Sequence, residues 1–131
     1  NINVVNLMAK IDNFDEFEDP NEVKVVVDKF DNAVYYSREP IPSRKKYTKD
    51  ISKFKQVAII PFKRDYLLKF NNTPETYLEK IESIDMLRII ESGDKVKMVL
   101  TKEDTLSVDT KEELSRVEDK MNDDFLMKKY M

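Results

Sequence analysis

The chain contains a single glycine, Gly93, among its 131 residues. That one fact removes a large part of nucleotide-binding space. A loop that wraps a phosphate brings its backbone close to the anion, and both common versions spend several glycines on this. Neither a P-loop nor a dinucleotide fingerprint can be written with one. Two further absences narrow the chemistry. Without cysteine there are no disulfides, zinc-thiolate sites or thiol nucleophiles. Without histidine there is no Ser-His-Asp triad, no imidazole metal ligand and no ordinary proton shuttle near neutral pH. Charge is nearly balanced, 23 basic against 26 acidic residues for a net −3, which argues against nucleic acid or an anionic membrane as a partner of the whole surface. Hydrophobic residues make up 40% of the chain, enough for the core of one domain. Any catalysis is therefore done without the usual residues, or with groups supplied from elsewhere.

The chain opens at Asn1 on Ile2-Asn3-Val4-Val5-Asn6-Leu7-Met8, which reads as a strand already under way. No basic stretch followed by an apolar one marks a signal peptide, and no apolar run approaches the ~20 residues a membrane span needs. The expectation is a cytoplasmic chain, not membrane-bound, whose N-terminal part has been removed.

Apolar periodicity predicts a mixed α/β fold. Strands are expected at residues 2–8, 23–27, 33–37, 57–60 and 96–100, the second and third forming a hairpin across Asp31-Asn32. Pro61 should end the fourth. Residues 12–22 read as an acidic loop with room for one helical turn before Pro20, and residues 38–53 as a loop carrying Pro40, Pro42 and a basic cluster. A short helix is expected over 63–70 with Tyr66, Leu67 and Phe70 on one side. The spacing of Ile81, Ile84, Leu87 and Ile90 predicts one continuous helix over 76–92, closed by Gly93. Thr110-Lys111-Glu112-Glu113 is a capping-box pattern opening a helix with Leu114, Val117 and Met121 on one face. Residues 122–131 form a charged tail.

Three constellations carry polar chemistry. Glu82, Asp85 and Arg88, three residues apart on one helix, would share a surface able to bind a polyol or amino sugar, or would form a solvated face opposite the isoleucines. Arg44, Lys45, Lys46 and Lys49 could clamp a carboxylate or phosphate, or belong to a solvated loop. Asp109, between a strand and the capping box, reads as an N-cap or as a ligand for a hard cation. None of these names a reaction.

The order of several longer motifs does. Asp19-Pro20-Asn21-Glu22-Val23-Lys24-Val25-Val26, then Ala33-Val34-Tyr35-Tyr36-Ser37-Arg38-Glu39-Pro40-Ile41-Pro42, resembles the N-P-N-x-V-K-V-V and A-L-Y-F-S-R-x-x-I-P signatures of the CMP-KDO synthetases, the 3-deoxy-manno-octulosonate cytidylyltransferases. The likeness continues through Lys55–Lys63 and Leu78–Arg88 to Val108-Asp109-Thr110-Lys111-Glu112-Glu113-Leu114. It implies the C-terminal part of a Rossmann-like nucleotide-diphospho-sugar transferase fold with a β-hairpin dimerisation element. Residues 1–121 would be the acceptor-sugar and dimerisation half, and the nucleotide-binding half with its CTP loop and Q-G-D-E-P motif would be absent.

The resemblance also implies an activity. CTP and an ulosonic acid would give a CMP-sugar and pyrophosphate with Mg²⁺, in a homodimer, for lipopolysaccharide or other cell-surface polysaccharide synthesis. Asp109 matches a metal-binding Asp, with Lys111 where the family has Pro. Arg38, and Arg44 or Lys45, match cations near the sugar carboxylate, while Gln56, Glu82, Asp85 and Arg88 match sugar-pocket positions. Gln56 stands where many members have His, Ile60 where they have Tyr, and Asp85-Met86 where they have Glu-Gln. These changes keep an 8-amino analogue or another nonulosonic, sialic-type acid open as substrate. A non-catalytic dimerising module of similar fold is the alternative from outside enzymology.

Overall fold

The structure is a computed structural model, described here for residues 1–44, 52–103 and 105–130. Its elements are β1 (Val5–Lys10), α1 (Phe14–Glu18), β2 (Lys24–Val27), β3 (Ala33–Ser37), β4 (Phe54–Gln56), α2 (Arg64–Asn72), α3 (Tyr77–Glu82), α4 (Met86–Glu91), β5 (Lys97–Leu100), α5 (Lys111–Asn122) and α6 (Met127–Tyr130). The strands form one sheet in the order β3-β2-β4-β1-β5. Only β1 and β5 are parallel; β2–β3, β2–β4 and β1–β4 are antiparallel. The α/β class is as expected.

One face of the sheet carries the main core. Val4, Met8, Val25, Tyr36, Val96 and Met98 pack against Ile84, Met86, Leu87 and Ile89 of the α3–α4 region. Phe62, Tyr66 and Phe70 extend this cluster beneath α2, with the Phe62 and Phe70 rings 5.5 Å apart. Leu67, expected on the same side as Tyr66 and Phe70, is exposed.

The opposite face is unusual. The registers Lys24↔Ser37, Lys24↔Lys55 and Ala9↔Lys55 place two lysines side by side in adjacent strands, both buried. Like charges directly opposite each other destabilise a sheet, and each ammonium loses its hydration. The segment over residues 12–22 supplies the compensation. Asn13 caps α1 by accepting from Glu16 N at 2.8 Å, and Phe17 is fully buried beneath it. Lys24 Nζ donates to the Asp19 carbonyl at 2.6 Å, while Lys55 Nζ is bonded to the Glu16 carboxylate and lies 3.6 Å from Glu22. The acidic loop is thus a small lid over two buried cations.

Two expectations fail for identifiable reasons. The helix over 76–92 breaks into α3 and α4, because Ser83 adopts a left-handed conformation (φ 55°) and ends the first helix. Glu82 then turns toward β3, and Ile81 is left exposed. The strand expected at 57–60 lies instead at Phe54–Gln56. Beyond Gln56 the chain still runs beside β1, with Val57 N donating to Leu7 O at 2.9 Å and Leu7 N to Ile59 O at 3.1 Å. A tight turn from Ile59 N to Val57 O spoils the regular ladder, and of residues 57–60 only Val57 is buried.

Arg88 ties the helices together. Its guanidinium donates to Glu79 at 2.8 and 2.5 Å and to the carbonyls of Phe70 and Thr73, and it lies 4.4 Å from the Phe70 ring centroid. This pair is largely buried, so removing one partner strands the other. Arg88→Met should cost about 3–5 kcal/mol in urea unfolding. The Arg88 hydrogen bond also holds the Glu79 carboxyl below its ordinary value of 4.5. A depressed carboxyl stabilises the fold above its unfolded pKa, and that contribution drains away as pH falls through the folded value. Stability measured from pH 6 downward should therefore fall below about pH 4.5, and the fall should be shallower in Arg88→Met. Glu22, raised by burial, titrates in the opposite sense in both proteins, so the difference between their acid limbs isolates the pair.

The lid gives a second test. Removing both acidic partners with Glu16→Gln and Glu22→Gln leaves Lys55 buried and unpaired. This should destabilise by about 3 kcal/mol or more, whereas Lys55→Met should be close to neutral because the carboxylates can turn outward to water.

Candidate functional site

Two adjoining clefts share Lys55 and Thr105 as lining residues. The first, of about 380 Å³, lies beyond the carboxyl ends of the parallel pair β1 and β5, bounded by Lys10, Asp12, Glu16, Leu100, Thr101 and Lys102. Open α/β sheets characteristically take ligands at this end of their parallel strands. The second, of about 390 Å³, lies where β4 leaves the sheet, bounded by Asn21, Glu22, Gln56, Ile59, Ser107 and Asp109. Its walls come from the acidic lid, from the irregular stretch after β4 and from the approach to α5.

Lys55 stands between the two clefts. Burial pulls its pKa down, but the hydrogen bond to Glu16 and the charge of Glu22 more than offset this, so the ammonium is held charged. Glu22 is pushed up, chiefly by its own burial, against the pull of Lys55. The site thus contains a fixed cation and a carboxyl whose pKa is pushed up by burial.

Gln56 is oriented from within the fold. Asn6, fully buried in β1, donates from Nδ2 to the carbonyls of Val57 (2.8 Å), Leu7 (3.1 Å) and Ile59 (3.3 Å). Its Oδ1 accepts from Tyr36 Oη at 3.0 Å and from Gln56 Nε2 at 2.8 Å. Burial among these groups pushes the Tyr36 phenol far above its usual range, so it stays protonated and donates.

The sequence-derived residues fall into three groups. Gln56 and Asp109, 53 positions apart, line the same cleft. Asp109 is not the helix cap: Thr110 is, accepting from Glu113 N, while Glu113 accepts from the backbone of Asp109 and Thr110. Among the described residues no hydrogen bond or ion pair is recorded for the Asp109 carboxylate. A second group is engaged within the fold. Glu82 accepts from Tyr35 Oη, Ser37 Oγ and Arg38 N, and Arg38 donates to the carbonyls of Glu82, Pro20 and Ser83. With Arg88 committed to Glu79, the expected common surface of Glu82, Asp85 and Arg88 does not form, because the helix breaks at Ser83 between them. Asp85 borders a separate open depression with Glu75 and Lys80. Arg44 lies 3.5 Å from Glu18, and Lys45 falls outside the described residues.

Lys55, Glu16, Glu22 and Asn6 escaped the sequence reading. A signal was available for the first three: lysines inside strand-forming runs, next to a dense acidic segment. Asn6 gave none beyond being polar within an apolar strand.

No trio of acidic ligands exists among the described residues. The donor chemistry still suits Mg²⁺. That ion keeps most of its waters and takes one or two carboxylates together with phosphate oxygens, and Asp109 offers one such carboxylate at the cleft.

Comparison with known proteins identifies the family of the chain. The Cytidylyltransferase family model matches residues 1–113. The 3-deoxy-manno-octulosonate cytidylyltransferase of Fusobacterium nucleatum is 40% identical over 116 residues, covering 88% of this chain and 47% of that protein. The enzyme of the same description from Thermodesulfovibrio yellowstonii is 39% identical over 127 residues, covering 93% and 50%. The solved structure of CMP:2-keto-3-deoxy-manno-octonic acid synthetase complexed with CTP matches with a TM-score of 0.82 at 30% identity, over 92% of this chain and 49% of that one. The chain spans about half the length of the curated relatives it matches. No helix among the described residues is long and apolar enough to cross a membrane. With the family model covering most of the sequence, and the same fold found in a solved relative, the chain belongs to the cytidylyltransferase family.

Proposed function

We propose that this chain supplies the acceptor-sugar side of a cytidylyltransferase that activates 3-deoxy-manno-octulosonate, or a closely related acidic sugar, with CTP. The observation that carries this reading is the meeting of Gln56 and Asp109, from distant family motifs, in one cleft beside the fixed cation Lys55. In the reaction the sugar's anomeric oxygen bonds to the α-phosphorus of CTP, the bond from that phosphorus to the β-phosphate bridge breaks, and pyrophosphate leaves. The hydroxyl proton is lost to the surroundings. The residues here bind and orient the sugar. Gln56 meets a hydroxyl, and Arg44 or Lys45 offers positive charge to the sugar carboxylate, while Lys55, already paired with Glu16 and Glu22, holds the wall between the clefts. Asp109 would hold Mg²⁺, which when bound neutralises charge on the phosphates. Arg38 and Glu82 contribute by fixing the end of α3 to β3, and Arg88 by tying α4 to α3 and to the end of α2. A homodimer through the 23–38 hairpin fits this reading, because β3 is an edge strand with Val34 exposed and Phe30 stands exposed beside it.

The 131-residue chain alone should form no CMP-sugar from CTP and 3-deoxy-manno-octulosonate, since in-line attack needs both substrates held together. The same residues within a polypeptide of the relatives' full length should do so. In that longer protein Asp109→Asn should lower kcat on the order of a hundredfold at limiting Mg²⁺. Its melting temperature should not move, because the cap is Thr110. Thr110→Ala should cost about 1 kcal/mol of stability. Wild-type turnover by Asp109→Asn at limiting Mg²⁺ would remove Asp109 from the site.

A further inference from the structure

We infer that Asn6 is a positioning residue that fixes the Gln56 side-chain amide in one orientation, so that the cleft is offered the Gln56 carbonyl oxygen as a hydrogen-bond acceptor. The site would then select a ligand group that carries a hydrogen, a hydroxyl or an ammonium, at that point.

Three carbonyl oxygens surround Asn6 Nδ2, those of Leu7, Val57 and Ile59. Turning the Asn6 amide over would set its oxygen against three acceptors in a fully buried position, which is heavily penalised. Asn6 therefore has one orientation, with Oδ1 aimed the other way. That oxygen has two lone pairs and meets two donors, Tyr36 Oη at 3.0 Å and Gln56 Nε2 at 2.8 Å. Tyr36 Oη also lies 3.1 Å from Met98 Sδ, a much weaker acceptor, so its hydrogen is drawn to Asn6. Only the NH₂ end of Gln56 can face Asn6 Oδ1, because the carbonyl end would meet it oxygen to oxygen. Gln56 is half-buried and is one of the residues that line the second cleft. Its Nε2 bonds Asn6, and among the described residues no donor faces its Oε1. Buried backbone thus sets the polarity of a half-buried side chain through two amides in series. A site built to satisfy a ligand hydrogen rejects an analogue lacking it, since its acceptor is then left unpaired.

The assignment of the ligand rests on the sugar reading above; the orientation of the amide does not. Gln56 is the only glutamine in the chain, so ¹⁵N-glutamine labelling isolates its side-chain amide in the intact 131-residue protein. In the free protein one Nε2 hydrogen should exchange with solvent about tenfold more slowly than the side-chain amide of a ¹⁵N-glutamine in an unstructured peptide. Equal exchange would overturn the inference, whatever the ligand. Titration with 3-deoxy-manno-octulosonate should then shift the Gln56 pair while that protection persists, which excludes an amide flip on binding. Asn6→Ser should lose the protection and weaken the sugar by roughly three- to tenfold. In a Gln56→Met background Asn6→Ser should weaken it no further. A loss that persists there would make Asn6 merely structural and overturn the positioning role. If Asn6→Ser does not fold, the wild-type exchange measurement decides the question alone. Absence of sugar binding with protection intact counts against the sugar reading and leaves the amide orientation established.

Discussion

Two lysines lying side by side in the sheet set the terms for the rest of this molecule. Lys24 and Lys55 are neighbours across β2 and β4, and both are buried. Such a pair would open the sheet to water unless negative groups were brought over it. The chain does this with a short capped helix and the acidic turn after it. The same residues that neutralise Lys55, namely Glu16 and Glu22, also become walls of the two clefts. The binding surface is in this sense a by-product of charge compensation, and the fixed cation between the clefts comes with it.

This explains why the fold was easier to read from the sequence than the site. Strands β2, β3 and β5 announce themselves through local runs of Val, Tyr and Met, and the capping box of α5 through four adjacent residues. The exceptions are places where a side chain far away in sequence decides the local outcome. Ile81, Ile84, Leu87 and Ile90 keep helical spacing straight through a real break, because Glu82 is drawn to Tyr35 and Ser37 on β3 and Ser83 turns the chain. Residues 57–60 look like a strand by composition, yet a tight turn between Ile59 and Val57 spoils the ladder, and the carbonyls of both also accept from the distant Asn6 side chain. No window of neighbouring residues contains that information.

The motif residues show a related division. Arg38, Glu82 and Arg88 stand in recognisable family segments, yet their hydrogen-bonding capacity is spent inside the chain, on carbonyls and on each other's helices. Recurrence of a charged residue in a motif is equally well explained by a structural staple as by contact with substrate. Burial and partner count separate the two: Arg88 has its guanidinium filled by Glu79, Phe70 and Thr73, whereas the Asp109 carboxylate stands at a cleft.

The buried asparagine of β1 has a bearing on how this sheet finds its pairing. Met8 and Ala9 are consecutive and both buried, and Val5 and Leu7 are half-buried, so β1 packs on both faces, and alternation of apolar and polar residues does not tell one alignment of this strand from the next. Sliding β1 by one residue would still bury hydrocarbon on both sides. It would also swing Asn6 to the other face, away from the three carbonyls, the phenol and the glutamine amide that it satisfies. In a strand whose apolar pattern is silent about alignment, one polar side chain makes the slipped alternatives expensive, so that specificity of pairing resides in a group that adds little to the hydrophobic core.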